Sequence, residues 1–319
     1  MIVPRPLTER VLERLPGPQT FWIAAWARVP WLNAGGNLAL GNEGTSAEWE
    51  QSDTLVVLNY AALSLAVVIT LWGTGRIARR LESLRAGGDS RSRFHEMNSV
   101  AGPLVLSVAA AIAFAVTAFA RDGWAAAFLR GGTWLVLGIA LWTFLWTYAS
   151  LQLGLDRLGR ERLAPDAARV DPGLGVRPLG GVAFMGLWML LAWLVPVLLT
   201  GLPDLVGVAI GLLVLGGGLA AFFLSLQRLH RQMVRVKAGE VAMARELYAQ
   251  AYEPVRAAPT LEALERQRSL LSAADALEKR AQAIHEWPID EVTFARVLTI
   301  TTSVIAMIVG RLILDPFGL

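Results

Sequence analysis

The sequence predicts an all-α polytopic membrane protein: six clear spans, one marginal N-terminal span and a cytoplasmic antiparallel helical hairpin. Three observations lead there. Uncharged apolar runs recur along the chain, each close to the ~20 residues a helix needs to cross a bilayer. Mean hydropathy is +0.48 and only 17% of residues are charged, against about a quarter in soluble domains. The arginines gather in three long loops, the pattern that cytoplasmic loops follow.

Residues 1–19 form a polar N-terminal segment. LTERVLER at 7–14 reads as a short polar helix capped by Thr8, and LPGP at 15–18 ends it. Arg5, Arg10 and Arg14, with no apolar core before a small-residue cleavage site, argue against a signal peptide.

The membrane domain covers 20–226. Residues 20–41 (TFWIAAWARVPWLNAGGNLALG) have the length of a span and three tryptophans, but also Arg28, Pro30, Asn33 and Asn37. They form the marginal span, crossing or deeply inserted. An acidic stretch follows, with Glu43, Glu48, Glu50 and Asp53. Clear spans come at about 54–73, 99–120, 131–152, 180–200 and 205–226. The loop 74–98 holds Arg76, Arg79, Arg80, Arg85, Arg91 and Arg93, and the loop 153–179 holds Arg157, Arg160, Arg162, Arg169 and Arg177. Residues 121–130 carry two arginines and 201–204 none. The positive-inside rule therefore puts 74–98, 153–179 and 227–290 in the cytoplasm.

The third region, 227–290, is the hairpin. No helix breaker follows the span at 205–226, and QRLHRQMVRVKAGEVAMARELYAQAY continues it in helix-forming residues. Pro254 and Pro259 bracket a turn, and Thr260 caps a second helix that runs to about His285. Two arms of about 25 residues, roughly 37 Å each, return the chain to its starting level. Leu229, Met233, Val236, Met243 and Leu247 line one arm, and Leu270, Ala274, Leu277, Ala281 and Ile284 the other, at spacings of three and four. That is a coiled-coil seam. It packs the arms together; alternatively Leu270, Leu277 and Ile284 also dock a cytoplasmic protein or another copy of the chain.

Trp287 suits a membrane interface, Pro288 breaks the helix, and Asp290 can cap the next one. The final span, about 292–314, completes the fourth region, 291–319. Its Arg296 lies close enough to the end to snorkel.

Several stretches occur together: LPGP before an aromatic-rich segment, GRIARRLESLR, LGLDRLGR with DPGLGVRPLG, and HEWPIDEVTFARV before the last span. The arrangement resembles a group of uncharacterised prokaryotic multi-pass membrane proteins with a helical cytoplasmic insertion before the last span. The resemblance implies that LPGP leads into a full span. It implies no activity.

Chemistry is sparse. There are no cysteines, so thiol chemistry and cysteine metal sites are excluded. His95, His230 and His285 lack metal-ligand spacing, and no His-Glu-x-x-His helix occurs. Gly216-Gly217-Gly218 sits inside a span, where it cannot act as a phosphate loop. The spans hold almost no ionisable side chain of the kind coupled transport uses. Asn59 stands out as polar and is expected to bond a neighbouring helix. No cofactor is expected. The net charge of +3 reflects loop arginines, a topology signal and not a nucleic-acid footprint.

Small residues mark close-packing faces. One stripe includes Gly207, Gly211 and Gly218, a second Ser107, Ala111, Ala115 and Ala118, and a third Thr299, Ser303, Ala306 and Gly310. The hydroxyls of Thr299 and Ser303 could instead line a pore in an oligomer. The expected role is a non-enzymatic scaffold or signalling component of the cell membrane. It would present the hairpin to cytoplasmic partners or to its own copies. The alternative is an oligomeric channel or uncoupled permease.

Overall fold

The computed structural model describes residues 5–39, 43–83, 95–160, 177–200, 205–257, 260–289 and 291–314. Every regular element among them is helical. The helices are α1 (Leu7–Arg14), α2 (Gln19–Ala27), α3 (Val29–Ala39), α4 (Glu43–Ser83), α5 (Ala101–Leu158), α6 (Arg177–Thr200), α7 (Leu205–Ala257), α8 (Leu261–Gln282) and α9 (Glu291–Leu314). A short 3-10 turn occupies His95–Asn98. The arginines within 84–94 and 161–176, and Pro259 and Asp290, lie outside the described residues.

Four stretches are long and apolar enough to cross a membrane: Val56–Leu81, Ala101–Leu158, Pro178–Pro196 and Gly211–Ala257. Val292–Ala306 is a shorter apolar helix. Several helices outrun their apolar cores. α4 begins at Glu43 and α7 continues to Ala257, passing through Pro254. Pro254, expected at the turn, instead falls in the last turn of α7, so the helix runs three residues beyond it; elsewhere in these flanks helix-forming residues carry the helix past its apolar core.

The chain divides into two compact units. The first comprises Met1–Gly154, Val182–Phe222 and Ala295–Leu319; the second comprises Leu155–Gly181 and Phe223–Phe294.

In the first unit, α5 is broken at Gly123, whose φ of 83° and ψ of −173° are not helical. A positive φ of this kind suits glycine alone among residues without strain. Asp122 and Arg130 pair beside the break at 3.3 Å. The two halves then fold back on each other. Phe114 stacks on Trp134 with centroids 4.0 Å apart. A Cβ on Gly138 would lie 3.4 Å from Ser107 Cα, and one on Gly131 would lie 2.9 Å from Ala115 Cβ. Trp146 covers Gly102 closely and donates from Nε1 to the Glu96 carbonyl at 2.8 Å. These pairs are symmetric about Gly123, as an antiparallel pair requires. Ser107, Ala111 and Ala118 are buried on one face, while Val105, Val108, Ile112, Val116 and Phe119 are exposed on the other. An apolar stripe facing outward opposite a small-residue stripe is the division of labour expected of a helix in lipid.

The described part of the 20–41 segment, up to Ala39, forms two helices of 9 and 11 residues, α2 and α3, turning at Arg28. At 1.5 Å per residue each is about 14–17 Å long, about half a bilayer core. Pro30 explains the turn, since it has no N–H for the carbonyl of Trp26 and disfavours helical geometry at Val29. The awkward polar residue also has a use. Thr133 donates to Asn33 Oδ1 at 3.3 Å, and Trp26 Nε1 donates to the Val136 carbonyl at 2.8 Å.

α1 is amphipathic and docked, not simply polar. Leu7, Thr8 and Leu12 are buried. Thr8 is not a cap; Pro6 takes that position, and the Thr8 hydroxyl lies 3.3 Å from that of Thr74. A buried partner outcompetes the local capping bond.

Candidate functional site

The membrane-type helices of the first unit meet at Tyr148. Its ring lies against Gly186 of α6, where a Cβ would approach Cδ2 to 2.7 Å. Its hydroxyl donates to the carbonyl of Gly218 on α7 at 2.9 Å. The space that a Gly218 side chain would need is filled by Leu190 of α6. Gly73 of α4 likewise makes room for Met189. Four residues away from Met189, Trp193 Nε1 donates to Thr70 Oγ1 at 2.7 Å, with both side chains buried. Glycines thus seat large side chains, and the few buried polar atoms at these crossings bond across helices. An apolar interior demands such satisfaction.

Of the small-residue stripe, Gly211 and Gly218 are buried. Gly207 lies in α7, at a position whose surroundings are not described. Thr299 and Ser303 lie on an exposed face of α9. Their hydroxyls donate to the carbonyls of Ala295 and Thr299, each at 2.9 Å. Asn59 Oδ1 is buried with no hydrogen-bond partner among the described residues.

In the second unit, among the described residues, two ion pairs join α7 to the chain that follows it, one at α8 and one just beyond it. Lys237 Nζ meets Glu286 Oε1 at 3.0 Å, and Arg245 Nε meets Glu278 Oε1 at 3.9 Å. Leu229, Met233, Ala244, Ala251 and Val255 are buried on α7. Met243 is exposed, because it falls on the shoulder of a stripe whose centre passes through Ala244. Ala274, Ala281 and Ile284 are buried, Leu277 is half-buried and Leu270 is exposed. Small residues therefore occupy the middle of the second stripe and its leucines sit at the flanks. Tyr248 and Tyr252 stack on each other at 5.9 Å on the exposed surface of α7.

After Gln282 the chain turns through an elbow before α9. His230 stacks on Trp287 with centroids 4.1 Å apart and planes 15° apart. Its Nδ1 is 2.7 Å from the Glu286 carbonyl. The Pro288 carbonyl presses on Gly180, where no side chain would fit. Lys237, His285, Glu286, Trp287, Val292 and Phe294 line a groove of about 870 Å³ here. In the sequence Trp287 and Pro288 read as re-entry punctuation only. The signal for the groove is the string His-Glu-Trp-Pro, whose partners His230 and Lys237 lie about 50 residues upstream.

The chain matches no protein-family model, no curated protein and no solved structure. Its functional reading therefore rests on the geometry of these two units.

Proposed function

We propose that the protein is an integral, multi-pass component of the cell membrane that acts as a non-enzymatic scaffold or signalling element. Its membrane part has six spans, with α5 contributing one on each side of Gly123, and 20–41 inserted as two half-length helices. The second unit is a cytoplasmic antiparallel helical hairpin whose outer surface docks a protein partner or another copy of this chain.

One observation carries this reading. The ion pairs Lys237–Glu286 and Arg245–Glu278 both join α7 to the returning chain, with the later residue on one side meeting the earlier on the other, as an antiparallel arrangement requires. Ala244, Ala274, Ala281 and Ile284 are buried, while Met243, Tyr248, Tyr252 and Leu270 stand exposed. Large apolar and aromatic groups standing out from a charged helical pair suit a protein-docking face. By contrast, in the first unit Gly73, Gly186 and Gly218 and the hydroxyls of Tyr148 and Thr70 serve its own helix crossings.

The test is site-specific photo-crosslinking in cells from Tyr252, with Glu262 as a control position elsewhere on the hairpin. One discrete adduct is expected from Tyr252, abolished by Tyr248→Ser, with no loss of membrane insertion. Absence of any discrete adduct in cells that contain the folded protein would contradict the docking role.

The exposed hydroxyl face of α9 supports the second reading, an oligomeric channel or uncoupled permease in which Thr299 and Ser303 line a path. Reconstituted protein would then pass current or solute, and Ser303→Leu would abolish it.

A further inference from the structure

We infer that the elbow groove of the second unit is a binding site for a zwitterionic phospholipid with a primary ammonium, phosphatidylethanolamine in class. The inference rests on reading α9 as entering the membrane, and it goes beyond the scaffold role.

The groove's volume of about 870 Å³ falls within the range of sites that engulf a small molecule. Its lining combines apolar and charged groups. Ile289, Val292 and Phe294 are apolar, and Val292 and Phe294 remain 58% and 48% exposed. Large apolar side chains this open at the start of an apolar helix favour contact with acyl chains. The charged part of the lining is Lys237 and Glu286, 3.0 Å apart, with His285 next to Glu286 in the chain. Trp287 is 40% exposed along the same wall, the interfacial position that tryptophan favours.

The paired charges select the headgroup. An anionic lipid would draw Lys237 away and leave the Glu286 carboxylate unpaired. A cationic amphiphile would do the converse. Either ligand forfeits the attraction between the two charges, a modest loss because the Glu286 carboxylate is half-exposed and screened. A zwitterion satisfies both, with phosphate on the Lys237 ammonium and its own ammonium on the Glu286 carboxylate. A primary ammonium donates hydrogen bonds to a carboxylate and a trimethylammonium does not, which separates ethanolamine from choline headgroups. The Trp287 ring offers the ammonium a further electrostatic contact.

The experiment uses the full chain, purified in detergent and freed of lipid. Dioleoyl phosphatidylethanolamine, phosphatidylcholine and phosphatidylglycerol are titrated separately and bound lipid is counted by native mass spectrometry. One phosphatidylethanolamine per chain is expected, bound a few-fold more tightly than either other lipid, the size of effect a solvent-screened ion pair supplies. Val292→Trp fills the groove at an exposed position and should reduce that affinity at least tenfold. Glu286→Gln supplies an independent reading. It should abolish the preference for phosphatidylethanolamine over phosphatidylglycerol, because only the cation remains. Equal affinity for all three lipids, tighter binding of phosphatidylglycerol by wild type, or a preserved preference in Glu286→Gln overturns the assignment. Tyr248→Ser, which tests the scaffold role, should bind phosphatidylethanolamine like wild type, so the two proposals fail separately.

Discussion

The Tyr148 hydroxyl donates to the Gly218 carbonyl at 2.9 Å, and the ring beneath it rests on Gly186. One side chain thereby ties the C-terminal half of α5 to both α6 and α7. The tie works only because two glycines leave room for it. A side chain at 218 would collide with Leu190, and one at 186 with the tyrosine ring. In lipid, where burial of apolar surface gives little driving force between helices, such close approaches and the bonds they permit supply the cohesion.

Tyr148→Phe should therefore lower stability by about 1 kcal/mol, the usual worth of one hydrogen bond, with the ring packing kept. Thermal melting in detergent, with particle size measured alongside, should show a lower Tm at constant size.

Gly186→Val should cost more, about 1–3 kcal/mol for overpacking, because its neighbour is a buried aromatic ring with nowhere to turn. Gly211→Leu makes a related test at a second buried glycine, on α7. Since that face is turned inward in the single chain, melting should fall while light scattering reports an unchanged mass. A shift toward a smaller particle that stays folded would make the face an oligomer seam instead.

On the hairpin, effects should follow burial and not residue size. Ala274 is 1% exposed and Leu270 is 47% exposed. Ala274→Asp should destabilise the pair by a few kcal/mol through an unpaired buried charge, whereas Leu270→Asp should leave it nearly unchanged. Limited proteolysis of the full protein reads both, with cleavage inside 228–285 appearing in the first variant only.

The register has its own test. Lys237→Glu and Glu286→Lys should each weaken the hairpin, and the double reversal should recover most of the loss. The coupling energy should be no more than about 1 kcal/mol, since Glu286 is half-exposed and solvent screens the pair. Additive effects in the double variant would place the two residues apart.

Much of the architecture is legible in the sequence. Uncharged runs at 54–73 and 180–200 announce apolar helices, and the stripe Ser107, Ala111, Ala118 announces a packing face that is buried against the other half of α5. Two kinds of feature are not legible. One depends on local chemistry overridden by a distant partner. Thr8 has the makings of a cap, but Thr74 lies beside it, and Asn33 is out of place in a span except that Thr133 bonds it. The other depends on pairing across long sequence separations. His230 and Trp287 are far apart in the chain, and no spacing rule joins them into an elbow. Met243 escapes the seam for a simpler reason, that a three-four pattern with one charged interruption at Glu240 has two nearly equal phases. The helix crossing takes the one through Ala244.

All of this presupposes a chain threaded through the membrane that holds 227–290 in the cytoplasm. Because the chain has no cysteine, single cysteines report topology directly. Arg121→Cys, at an exposed site beside the Gly123 turn, and Ser269→Cys, on the exposed face of α8, are treated with a membrane-impermeant maleimide in intact, right-side-out cells. Labelling is expected at 121 without permeabilisation, and at 269 only after the membrane is opened. Labelling at 269 in intact cells, or protection of both sites together, would contradict this topology.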